Sequence, residues 1–150
     1  MKEFWEKQKS LLAQAKRVFD AGMAGKKSGD CFREKSTYAG DVCLEEAVQT
    51  AEENLKLYDD AIRGLLVLKY PGEDDDDKGP VPEPTGEQLA AEFDRLEKVW
   101  RKYLELATES ELHQFGNGTA AAGEALACHL MLVRSHMREL DGMYHTMLHK

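Results

Sequence analysis

The C-terminal quarter of this 150-residue chain carries histidines at spacings that bring them onto one side of a helix. His129 and His136 are seven residues apart, beside the apolar positions of the same segment. Asp141, His145 and His149 follow at intervals of four, so a continuous helix would place them along one stripe. Imidazole nitrogens and a carboxylate suit zinc or nickel. These five residues are candidate ligands, with His129 and His136 for an interior site and the stripe of three for an exposed metal site.

The same histidines also have a purely structural interpretation. Histidine in the last turn of a helix favours the negative end of the helix dipole, which fits His145 and His149. His129 and His136 would then flank the core, with nearby methionines acting as apolar filler. The spacing alone does not separate this interpretation from a sensor or carrier that holds a small ligand.

Acidic residues form a second candidate site. The formal net charge is −8, and residues 41–70 hold seven acids against three bases, while residues 71–84 hold six against one. A negative surface disfavours binding to nucleic acid and anionic membranes and fits a basic protein partner. The candidate partner-binding residues are Glu52, Glu53, Asp59, Asp60, Asp74, Asp75, Asp76 and Asp77.

Apolar residues at alternating spacings of three and four predict the helices that position these side chains. The predicted ranges are 2–23, 41–70, 85–114 and 119–148. We expect a single all-α domain over residues 1–150, an up-down-up-down four-helix bundle with long first and second connections. In the third helix the apolar line runs through Phe93, Trp100 and Tyr103.

Local signals set the predicted ends of these helices. Asp41 is the expected cap of the second helix, and Thr119 of the fourth. Thr85 with Gln88 forms a capping-box pattern at the start of the third. The segment 71–84 contains all four prolines and an acidic run, which predicts an extended, mobile loop.

The cysteines and the hydropathy pattern bear on where the protein works. Cys31, Cys43 and Cys128 have no metal-ligand spacing, and we expect them to be reduced in a cytoplasmic protein, with a Cys31–Cys43 bridge as the alternative. No apolar run approaches the roughly 18 residues that a membrane-spanning helix needs.

The functional prediction is non-catalytic protein–protein binding. No pairing of serine or cysteine with histidine and an orienting acid has the spacing of a nucleophilic site, so we expect no enzyme activity and no cofactor. The specific expectation is an inhibitor or immunity-type protein for a basic partner. The alternative is a ligand- or metal-binding bundle. Apolar residues beyond the central seams are compatible with a homodimer.

Overall fold

The computed structural model describes residues 2–68 and 82–149, and every regular element in these two ranges is helical. The helices are α1 (Lys2–Ala24), α2 (Ser28–Cys31), α3 (Thr37–Val67), α4 (Gly86–Gln114), α5 (Ala121–Met143) and α6 (His145–Leu148). The predicted all-α class is confirmed. Two single-turn helices, α2 and α6, accompany the four long helices that the periodicity indicates. None of the described helices is long and apolar enough to cross a bilayer.

The start of α3 lies four residues before the predicted position. Ser36 is the N-cap, and its hydroxyl accepts a hydrogen bond from the Ala39 amide at 3.0 Å. The prediction of Asp41 as the cap is therefore wrong. Thr37 and Gly40 are weak helix formers, which makes the first turn hard to recognise from propensity. At its other end α3 stops at Val67, three residues before the predicted end.

The other helix ends agree with prediction to different degrees. The Thr85 hydroxyl accepts from the Gln88 amide and the Gln88 side chain accepts from the Thr85 amide, so the predicted capping box is confirmed. The fourth predicted helix differs at both ends. It begins after Ala120, which makes no side-chain cap, so Thr119 is not the cap. It also breaks at Tyr144, which separates α5 from α6.

A disulfide joins Cys31 at the end of α2 to Cys43 in the second turn of α3. Both sulfurs are buried, and Cys128 alone has a free thiol. The expectation of three reduced cysteines is thus wrong for this pair, and the alternative bridge is present. It closes a loop between residues 12 apart in sequence and ties the short helix to α3.

The core lies on both sides of α3, which packs against α1, α4 and α5. The largest fully buried side chains come mainly from α3 and α5. They are Tyr58, Phe93, Leu44, Leu55, Ile62, Leu130, Met137, Leu140, Val133 and Cys31. Phe93 is buried as predicted, but Tyr103 is 55% exposed and Leu104 takes the inward position beyond Trp100. The apolar line of α4 is therefore shifted by one residue in its second half.

Direct contact between α3 and α5 divides the interior into two sides. Glu52 contacts His129, and Tyr58 contacts Asp141, so residue numbers rise together and the two helices are parallel. α1 lies on one side of this pair and α4 on the other, and the strongest contacts of α1 are with α3.

Arg134 of α5 closes the C-terminal end of α1. Its side chain is buried and donates hydrogen bonds to the carbonyl oxygens of Met23, Gly25 and Lys26. The last carbonyls of a helix have no intrahelical donor, and a guanidinium supplies several in one plane. Arg134 therefore fixes the end of α1 against α5.

Candidate functional site

A line of charged side chains runs between α3, α4 and α5, on the side of the core away from α1. The i, i+7 spacing puts Glu52 and Asp59 on one face of α3, and the same spacing does so for the histidines of α5. We call the set the polar network; its members are Glu52, Asp59, Glu97, Arg101, His129 and His136.

At one end of the polar network Glu52 contacts His129 of α5 and Arg101 of α4. Its Oε1 lies 2.8 Å from His129 Nε2, and Arg101 Nη1 donates to both carboxylate oxygens at 2.8 Å. Burial opposes ionisation of Glu52, but the hydrogen bonds from His129 and Arg101 outweigh it and the pKa of Glu52 is lowered. The Arg101 guanidinium also lies 5.1 Å from the centre of the Trp100 ring. Glu52 is therefore held as a carboxylate.

At the other end two carboxyl groups lie side by side in a half-buried position. Burial and the hydrogen-bonded Glu97 beside it raise the pKa of Asp59 from 3.8 to about 9. Asp59 is therefore protonated at neutral pH. Its Oδ1 is buried and has no hydrogen-bond partner. Glu97 Oε1 in turn lies 2.6 Å from His136 Nε2.

His136 is held on two sides. It is buried at 4% exposure, and its ring stacks on Trp100 with centroids 4.0 Å apart and planes 8° from parallel. The resulting chain of contacts from Asp59 through Glu97 to His136 joins three helices. Its donors and acceptors are largely engaged with one another, which is the arrangement of a structural network.

An open groove of about 470 Å³ lies over the polar network between α3 and α4. We call it the acidic groove; its walls are formed by Gln49, Glu52, Glu53, Lys56, Asp59, Asp60 and Arg101. It contains every predicted partner-binding residue that the structure describes. The remaining four, Asp74, Asp75, Asp76 and Asp77, lie outside the described residues, as does most of the segment 71–84.

The five predicted ligand residues of the C-terminal quarter divide into two separate places. His129 and His136 each pair with a carboxylate from another helix, inside the polar network. Asp141, His145 and His149 lie together at the end of α5, where metal-binding atoms of all three are within 4.8 Å of one another. The two groups therefore lie in different parts of the molecule.

Sequence reasoning did not identify Glu97, Arg101 or Arg134. A signal for Glu97 is present, because it follows Phe93 by four residues and precedes Trp100 by three, which places a charge on the apolar line of α4. A charged residue at such a position needs a buried partner. For Arg134 the sequence offers no comparable signal, since its partners are backbone carbonyls more than a hundred residues away.

Comparison of the chain with protein-family models, curated proteins and solved structures finds no match.

Proposed function

We propose that this chain is a non-catalytic binding protein, built on an up-down-up-down four-helix bundle, whose acidic groove receives basic side chains of a partner protein. The proposal rests on the common location of four acidic residues. Glu52, Glu53, Asp59 and Asp60 were selected from the sequence by charge alone, and all four line one groove. An inhibitor or immunity-type protein for a basic partner is the specific form of this function.

The acidic residues of the groove differ in how readily they can bind a cation from a partner. Glu52 is neutralised by Arg101, and Asp60 pairs with Lys56 at 3.1 Å on an exposed surface. Glu53 is exposed, and the described part of the chain shows no ion pair for it. Exposed pairs such as Lys56–Asp60 contribute only about 0.2–1 kcal/mol, so an incoming cation can replace Lys56 at little cost.

The charge of Asp59 depends on what occupies the acidic groove. A cation within about 4–6 Å of a carboxyl group favours the ionised form. A lysine or arginine side chain entering beside Asp59 would therefore promote loss of its proton. We expect binding of a basic partner to release a proton near neutral pH and to strengthen as pH rises toward 9.

The disulfide supports a location other than the predicted cytoplasm. Structural disulfides persist in oxidising compartments and are rare in a reducing cytosol. Because the bond between Cys31 and Cys43 is buried and ties α2 to α3, we propose that the protein works in an oxidising compartment.

The binding proposal is tested with a fluorescent oligo-arginine peptide as a model basic segment. Anisotropy titrations at about 20 mM and about 300 mM NaCl should show affinity falling as salt rises. The double variant Glu53→Gln/Asp60→Asn should weaken binding roughly tenfold, about 1.4 kcal/mol. In ¹⁵N spectra the largest peptide-induced shifts should fall on α3 and α4 around this groove.

The matched control is Glu3→Gln/Glu6→Gln, which removes the same charge from an exposed part of α1. If both double variants weaken binding equally, attraction follows net charge and the groove has no special role. Binding that does not change with salt, or spectral shifts centred away from α3 and α4, would also refute the proposal.

A further inference from the structure

The C-terminal end of α5 brings together three side chains that the acidic groove does not use. His149 Nε2 lies 2.8 Å from Asp141 Oδ1, and the rings of His145 and His149 have centroids 4.5 Å apart. Within residues 2–68 and 82–149 this is the one trio of histidine, cysteine, aspartate or glutamate whose metal-binding atoms all lie within 4.8 Å of one another.

We propose that Asp141, His145 and His149 bind one divalent first-row transition metal ion, with zinc as the representative case. Two imidazole nitrogens and one carboxylate oxygen form a donor set that suits such ions. Calcium and magnesium, in contrast, prefer oxygen ligands alone. Three protein ligands also leave at least one coordination position for water or for a group from another molecule. The site is separate from the polar network and from the acidic groove.

The break at Tyr144 makes this convergence possible. In a straight α-helix, residues 141 and 149 would be separated by about 12 Å along the axis. Tyr144 leaves the helical conformation, with φ −106° and ψ 23°, and the chain resumes as α6. Asp141 and His149 are consequently in contact, whereas residues at i and i+8 of one continuous helix would be too far apart.

Packing against the core holds the backbone of the proposed site in place. The Tyr144 ring packs edge-on against Phe93 with centroids 5.8 Å apart, while Met147 and Leu148 of α6 pack against the core. His145 and His149 are both exposed, so an ion can reach them. The ligands are thus accessible side chains on an anchored backbone.

A second helix orients the carboxylate. The Tyr58 hydroxyl donates to Asp141 Oδ1 at 3.3 Å, and Tyr58 itself is 1% exposed in the centre of α3. Hydrogen bonds of this kind to metal-binding carboxylates hold the ligand in position. Tyr58 is therefore a positioning residue for the proposed site.

The test is isothermal titration of the full, disulfide-bonded chain with Zn²⁺, combined with single variants of each ligand. We expect one zinc per chain and at least about a tenfold loss of affinity in Asp141→Asn, His145→Ala and His149→Ala. Tyr58→Phe should weaken binding by a smaller factor. Titration with Co²⁺ gives a second readout, because coordination by these ligands should produce visible absorption that the three ligand variants lose.

Two control variants separate this site from general binding by surface groups. His113 is an exposed histidine in the last turn of α4, and Cys128 is the free thiol, so His113→Ala and Cys128→Ser should both leave the affinity unchanged. The proposal is overturned if no binding occurs below about 100 µM Zn²⁺. It is equally overturned if either control weakens binding as much as His149→Ala, or if His145→Ala has no effect.

Discussion

The protonated state of Asp59 makes the stability of this protein depend on pH in an unusual direction. In the unfolded chain Asp59 loses its proton near pH 3.8, whereas in the folded protein its pKa is about 9. Between these values the folded state holds a proton that the unfolded state has released. Each pH unit of rise in this window therefore lowers the contribution of Asp59 to the free energy of unfolding by about 1.4 kcal/mol.

Replacing Asp59 by asparagine removes this loss of stability with rising pH, and it keeps a hydrogen-bond donor beside Glu97. From pH 3.8 to pH 7 the accumulated loss is at most about 4 kcal/mol, which is large beside a typical domain stability of about 5–15 kcal/mol. We therefore expect Asp59→Asn to be more stable than the parent protein at pH 7. The difference should shrink toward zero as the pH falls to about 4, where the unfolded state also begins to take up the proton.

Urea unfolding followed by far-ultraviolet circular dichroism, repeated at several pH values between about 4 and 9, measures this difference. The groups facing Asp59 are Asp60 on its own helix and Glu97 and Arg101 on α4, and all three are kept. Asp60→Asn is the control, because Asp60 is exposed and its loss should change stability by less than about 0.5 kcal/mol. A variant Asp59→Asn that is less stable than the parent at pH 7, or that keeps the same pH dependence, would refute the reasoning.

Three further perturbations address the contacts that hold the helices together. Arg134→Met should destabilise the fold by about 1–3 kcal/mol, because it leaves part-buried carbonyls at the end of α1 without their donor; chemical denaturation measures the loss. Gly86→Ala should cost about 1–3 kcal/mol in the same assay, since a Cβ there would lie 2.5 Å from the Leu66 carbonyl oxygen. Replacing Cys31 and Cys43 by serine should lower stability by about 3 kcal/mol, and a reductant should lower the melting temperature of the parent but not of the variant.

Each of these expectations has a clear contrary result. Arg134→Met as stable as the parent would mean that water satisfies the end of α1 equally well. Gly86→Ala without loss would mean that α4 can move away from the end of α3 freely. A parent protein whose melting temperature ignores reductant would show that the bond between Cys31 and Cys43 does not constrain the fold.

The helical framework was predictable because its signals are local. Periodic apolar residues indicate four long helices, and Thr85 with Gln88 forms a capping box within four residues of sequence. The start of α3 was misplaced for two reasons, one local and one that joins two helices. The Ser36 cap and the tie from Cys31 to Cys43 stabilise a first turn whose residues are weak helix formers.

The candidate site was predictable only in part, because it depends on how the helices are rotated against one another. The acids of α3 were found by charge, and their shared groove follows from their spacing. Their partners were not found. Glu97 shifts the pKa of Asp59 only when α4 turns it toward α3, and His136 meets Glu97 only through the same rotation. The convergence of Asp141 with His149 likewise depends on a break at Tyr144 that the periodicity gave no reason to expect.

The placement of α4 has a dynamic consequence. Among its 29 residues only Ala90, Phe93 and Leu104 are buried, whereas α3 buries nine of its 31 residues and adheres to α1 on the opposite side. Segments with few buried apolar contacts open first, at free energies well below that of global unfolding. We expect amide hydrogens of α4 to exchange with deuterium earlier than those of α3. Such an opening would expose Asp59 and Glu97 to water together, so the Asp59 carboxyl proton would exchange with solvent when α4 separates from α3.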